Sequence, residues 1–224
     1  MWVSLNEIEQ TSLKAARSAG YAWGLAEEAG ASVRWLAMRG LPFLQPLTAG
    51  VFRQMNRLES FDSARRIGSS HGPVESANRL GPISVLTALS DEILSVPQGD
   101  GEISLRALAA PILVVPALAR LSRRYDRPLL ARWPGVALEC RGGSVSLDDC
   151  GRQGLNAVFA DWFTVTRLTA SLVDPTRSAE VRHQGAEVDE NRWRELVTFA
   201  NRSYVPESES TRLRGAGAGY TDND

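Results

Sequence analysis

Two adjacent glycines impose the tightest constraint on this chain. Gly142 and Gly143 separate Val136–Arg141 from Ser144–Leu147, two short runs of alternating residue type. Alternation suits a pleated strand, whose successive side chains point to opposite faces. A two-residue connection between antiparallel strands needs positive φ at both positions, and glycine adopts it without a Cβ clash. The spacing therefore predicts a β-hairpin with Cys140 opposite Val145. That register disfavours a disulfide within the hairpin between Cys140 and Cys150, and Cys140 reads most simply as a small buried apolar residue.

Helical punctuation frames the N-terminal third. Ser4-Leu5-Asn6-Glu7 fits the capping-box pattern, in which the serine hydroxyl accepts from an orphan amide and the glutamate reaches back. Leu5, Ile8, Ser12, Ala15, Ala16 and Ala19 follow at helical spacing, and Gly20 supplies a left-handed stop. A second helix is expected from about Ala22 to Arg39, with Ala22, Leu25, Ala26, Ala29, Val33, Leu36 and Ala37 as its buried stripe and Gly40 and Pro42 ending it. A stripe of such small residues predicts a close helix–helix contact. Leu44 to about Arg57 reads as a third helix.

Residues 60–82 are polar with repeated Gly and Ser, a long surface segment of the kind that often carries function. Ile83 to Leu94 mixes periodicities, and residues 97–102 make a turn. Ala110 to Arg124 reads as a helix that starts near Pro111. Pro116 then requires either a kink or a short strand over Ile112–Val115. Trp162–Leu168 alternates and is rich in β-formers, with Ala179–Val188 as its candidate partner, broken at Gln184-Gly185. Asp189 caps a last helix whose apolar face is Trp193, Leu196, Val197, Ala200 and Tyr204. The fold expected is α+β: N-terminal helices packed on a small, mainly antiparallel sheet, with a C-terminal helix and a glycine-rich arm. One domain would span residues 1–224, helical over 1–59, polar over 60–82, mixed over 83–203 and arm-like over 204–224.

A chain of 224 residues can bury roughly 70% of its unfolded surface and needs no staple to fold. A net charge of −1 argues against bulk binding to nucleic acid or anionic lipid. A nucleic-acid regulator would have to use the basic stretch Arg120–Arg132, and no helix-turn-helix pattern accompanies it. No run of 18 apolar residues occurs, so no membrane span is expected. Met1–Gln10 carries acids where a signal peptide needs a basic start and a long apolar run, which points to a cytoplasmic protein with reduced thiols. Cys140, Cys150, His71 and His183 have none of the short spacings of a zinc site, and no metal or cofactor is expected.

The chain contains no P-loop, no GxGxxG opening a helix, no GxSxG elbow and no HExxH. Gly215, Gly217 and Gly219 alternate, but only five residues follow them, too few for the helix a phosphate cradle needs. Glu27 and Glu28 follow the run Tyr21-Ala22-Trp23-Gly24. They point about 100° apart on a helix and cannot form a dyad with each other. Glu28 falls nearer the buried stripe, where a half-buried carboxylate would serve as a general acid or base; a surface ion pair with an arginine is the plainer alternative. His71, in Ser69-Ser70-His71-Gly72-Pro73, is the third acid–base candidate, although a serine beside a histidine in sequence rarely makes a catalytic pair.

Two stretches carry a family resemblance. One is Ser4–Glu9 followed by Ala15–Gly30, and the other is Arg202–Arg212 with the closing Gly215–Asp224. Together they resemble an uncharacterised bacterial family, domain of unknown function 3726. The resemblance implies that the two ends matter, and no mechanism comes with it. If the ends meet, Trp23, Glu27 or Glu28 would face Tyr204, Arg212 and the terminal acids. The candidate ligand-binding residues are then Trp23, Tyr204, Glu207, Ser208, Arg212, Gly215, Gly217, Gly219 and Asp222. The leading function is a small metabolic enzyme acting on a polar, carboxylated metabolite, held by arginine. The alternative is a noncatalytic subunit that binds a protein partner or a second copy through its alanine-rich helices and terminal arm.

Overall fold

Ser4 caps the first helix as its sequence requires: its Oγ accepts from the Glu7 amide at 3.2 Å. The computed structural model describes residues 1–60, 79–91, 94, 101–147, 153–169, 181–182 and 184–202. In chain order the elements are β1 (Trp2–Ser4), α1 (Leu5–Ser18), α2 (Trp23–Met38), β2 (Leu58–Glu59), β3 (Arg79–Leu80), α3 (Pro82–Ser90), β4 (Glu102–Ala109), α4 (Val115–Arg124), β5 (Leu129–Trp133), β6 (Val136–Arg141), β7 (Ser144–Leu147), β8 (Phe159–Arg167), β9 (Gly185–Glu187) and α5 (Glu190–Asn201). The class is α+β.

The hairpin forms in the expected register, Cys140 opposite Val145, with Gly142 and Gly143 at φ of 55° and 89°. It is one end of a seven-stranded sheet ordered β2-β3-β4-β8-β5-β6-β7. The pairs from β4 to β7 are antiparallel, and the short strands β2 and β3 run parallel to each other and to β4. Cys140 is free and fully buried, and burial pushes its thiol well above the ordinary range, so it stays protonated.

Three segments depart from what their residues predict. Residues 185–187 pair with β1, not with β8, whose two edges are occupied by β4 and β5. Ile112–Val115 is no strand: residues 111–114 form a 3₁₀ turn and α4 follows, with Pro116 in its first turn. A proline costs nothing there, because that N–H has no partner in any helix. The third helix is irregular, a wide π-type turn over Pro46–Val51 running into a 3₁₀ turn over Phe52–Arg57.

The N-terminal β1 and α1 pack against the segment from β9 to α5. β1 and β9 form a separate antiparallel ribbon, and the Met1 ammonium donates to Val188 O at 2.9 Å. α1 packs between α2 and α5, and Ser18 Oγ lies 3.0 Å from Lys14 O and 3.2 Å from Ala200 O. Asp189 caps α5, accepting from the Arg192 amide at 2.9 Å. Asp189→Ala is expected to cost about 1 kcal/mol by loss of that cap, and Asp189→Asn little, measured by urea denaturation.

Candidate functional site

A groove of about 230 Å³ opens where α1 ends, beside the 3₁₀ turn and the C-terminal end of α5. Its lining follows from local geometry. A 3₁₀ turn has three residues per turn, so residues i and i+3 eclipse. Phe52 and Met55 therefore share one edge of the turn and Arg53 and Asn56 the next, and all four line the groove. On α5 the same spacing sets Phe199 with Arg202.

The floor is aromatic. The Phe52 and Phe199 rings are 5.3 Å apart at 49°, and both are buried. Cations stand above it. The Arg202 guanidinium carbon lies 4.4 Å from the Phe199 ring centre. Arg53 Nε donates to Glu195 Oε1 at 2.6 Å, with the Arg53 side chain 60% exposed. An ion pair that open contributes at most about 1 kcal/mol, so another carboxylate can displace Glu195. Ser18 and Asn56 add polar groups to the wall. Among the described residues no three His, Cys, Asp or Glu side chains gather to hold a metal ion.

The structure separates the two glutamates proposed for acid–base work. Glu27 accepts from Trp23 Nε1 at 2.6 Å on an exposed face, with the Arg17 guanidinium 5.6 Å from the Trp23 ring centre. Glu28 turns the other way and accepts from Arg120 Nη2 at 2.8 Å, and that same nitrogen reaches Ser90 Oγ at 2.9 Å. The nearby Tyr21 phenol is pushed up by burial and stays protonated at neutral pH. Trp23, Glu27 and Glu28 do not line the groove, although α1's last residues, which do, lead directly into the Trp23 turn. His71, Tyr204, Glu207, Ser208, Arg212, Gly215, Gly217, Gly219 and Asp222 lie outside the described residues, as does His183.

The sequence alone does not mark Phe52, Arg53 or Phe199, and it marks Arg202 only as the start of the second resembling stretch. The available signal was a phenylalanine and an arginine close together in each of two distant segments, Phe52-Arg53 and Phe199 with Arg202. Nothing local says that the segments meet. Residues 3–77 match the model of a family described as a protein of unknown function, DUF3726. The match takes in the first resembling stretch and the α1 and 3₁₀ walls of the groove, while Phe199 and Arg202 lie beyond it. No curated protein and no solved structure matches the chain.

Proposed function

We propose that this chain binds a small carboxylated molecule in the groove between α1 and α5. The observation that carries the reading is the pair of arginines, Arg53 and Arg202, that line one groove, with Arg202 over the Phe199 ring. Guanidinium presents donors in a planar fork that matches a carboxylate two-pronged, and the buried rings beneath fix the elements that carry the arginines. The groove is smaller than the roughly 300–1,000 Å³ typical of drug-sized ligands, which favours a metabolite. These groups support recognition. A reaction would also need a proton-transfer group aimed at the ligand, and Glu195 is held by Arg53 at the groove's edge.

Isothermal titration with benzoate and phenylacetate, against benzyl alcohol as the uncharged control, tests this. Carboxylates are expected to bind and the alcohol not to. Arg53→Ala and Arg202→Ala should each weaken binding about tenfold, the usual effect of losing a charge-assisted hydrogen bond. Equal binding of acid and alcohol, or a double variant that binds like the parent, would sink the reading.

A further inference from the structure

A second cationic corner lies away from the groove, where the C-terminal ends of α2 and α4 meet the β6–β7 turn. Arg39 Nη2 donates to Gly143 O at 3.2 Å and Nη1 to Trp35 O at 3.4 Å, and its guanidinium lies 3.8 Å from the Trp35 ring centre. The carbon stem of Arg123 covers Gly143 so closely that a Cβ there would meet it at 3.2 Å. The guanidinium of Arg182 covers Gly40 in the same way, at 3.6 Å. The contacts run in a chain: Arg123 on Gly143, Gly143 on Arg39, and Arg182 on the glycine next to Arg39. Both glycines hold positive φ, 62° at Gly40 and 89° at Gly143, so neither can readily carry a side chain that would fill the corner.

Arg34, Arg53, Arg120, Arg141 and Arg194 each hold a carboxylate. Among the described residues Arg39, Arg123 and Arg182 hold none, as is true of Arg17 and Arg202; these three also meet at one corner. Arg39 is half-buried and its pKa is pulled down by that burial, with carbonyl oxygens and an indole face as its partners. A partly desolvated cation without a counter-charge is better stabilised once an anion arrives. Helix dipoles explain one arginine at the end of α2 and others at the end of α4. They do not explain Arg182, which comes from the segment entering β9 and hydrogen-bonds through its backbone to Met38 O.

We propose that Arg39, Arg123 and Arg182 form a binding site for the phosphate group of a small molecule. The Arg39 and Arg182 guanidinium groups, with the Arg123 side chain beside them, offer more donors than the two oxygens of a carboxylate can accept, and a phosphate dianion has the oxygens and the charge to use them. A long nucleic-acid backbone is a poorer fit, because a chain of net charge −1 has no general attraction for a polyanion.

The test is isothermal titration of the full chain with inorganic pyrophosphate at low salt, with acetate in a parallel arm. Saturable pyrophosphate binding is expected, weakened about fivefold or more in Arg123→Gln and in Arg182→Gln, which remove exposed charge-assisted donors. Arg194→Gln and the Arg53→Ala/Arg202→Ala double variant should bind pyrophosphate like the parent, which separates this corner from the groove. Arg39→Lys keeps the charge but loses the fork and should also weaken binding, with its melting temperature measured alongside. Because Arg123 and Arg182 are exposed, their variants decide the matter even if Arg39→Lys is destabilised. The proposal is overturned by absence of saturable binding, by glutamine variants that bind unchanged, or by acetate binding as tightly as pyrophosphate.

Discussion

Gly30→Ala is expected to destabilise the protein by about 2 kcal/mol, although alanine is the better helix former by roughly 1 kcal/mol. A Cβ at Gly30 would lie 2.9 Å from Glu9 O and 3.2 Å from Leu13 Cβ. Both belong to the neighbouring helix α1, and a backbone carbonyl cannot rotate aside. α1 and α2 would have to separate, loosening the contact of small residues around Ala26, Ala29 and Val33, all buried. The steric term therefore outweighs the propensity term. Gly24, on the same helix, supplies the control: nothing lies within 4 Å of its would-be Cβ. Gly24→Ala is expected to be neutral or to stabilise by up to about 1 kcal/mol. Urea denaturation of both variants reads the difference. A Gly30→Ala protein more stable than its parent would mean that the two helices are not in close approach.

Trp133→Ala is expected to have the largest effect, about 3–5 kcal/mol, the usual range for removing a buried large aromatic. Trp133 is 1% exposed, stacks on Phe163 at 5.8 Å between centroids, and donates from Nε1 to Gly154 O at 3.0 Å. It thus ties β5 to β8 and also to the turn at Gln153–Asn156. Removing it leaves a cavity in the middle of the sheet and takes one of two donors from Gly154 O, which still accepts from the Ala157 amide at 3.1 Å. Trp133→Phe keeps the ring stack and loses the hydrogen bond, so it should cost less, about 1–2 kcal/mol. A cost below about 1 kcal/mol for the alanine variant, read by denaturant midpoint and slope, would contradict the core position of this ring.

How far the residues speak for themselves depends on the range of the interaction. Ser4 and Asp189 announce their helices because a cap is a contact between residues three apart. α3 gave no stripe to find: Pro82, Ile83, Val85, Leu86, Ala88 and Leu89 are all buried, so its apolar residues run round most of the helix. β4 and β5 were passed over as a turn margin and a basic stretch. Ile103 and Leu105 face inward between polar neighbours, while Leu129, Leu130, Ala131 and Trp133 are all buried with only Arg132 exposed. The candidate site was the least legible part. Trp23, Glu27 and Glu28 drew notice as a local cluster, yet Trp23 satisfies Glu27 and Arg120 satisfies Glu28.

Read alone, the residues determined the helix ends, the Gly142-Gly143 turn with its register, and the burial of Cys140, because each rests on contacts within a few positions of the chain. Only the tertiary structure decided that β9 joins β1, that β8 lies between β4 and β5, and that Ser18, Arg53 and Arg202 share one groove. Those outcomes depend on which apolar faces bury one another across long separations in sequence. Hydrophobic burial is non-directional, so no local pattern names its partner.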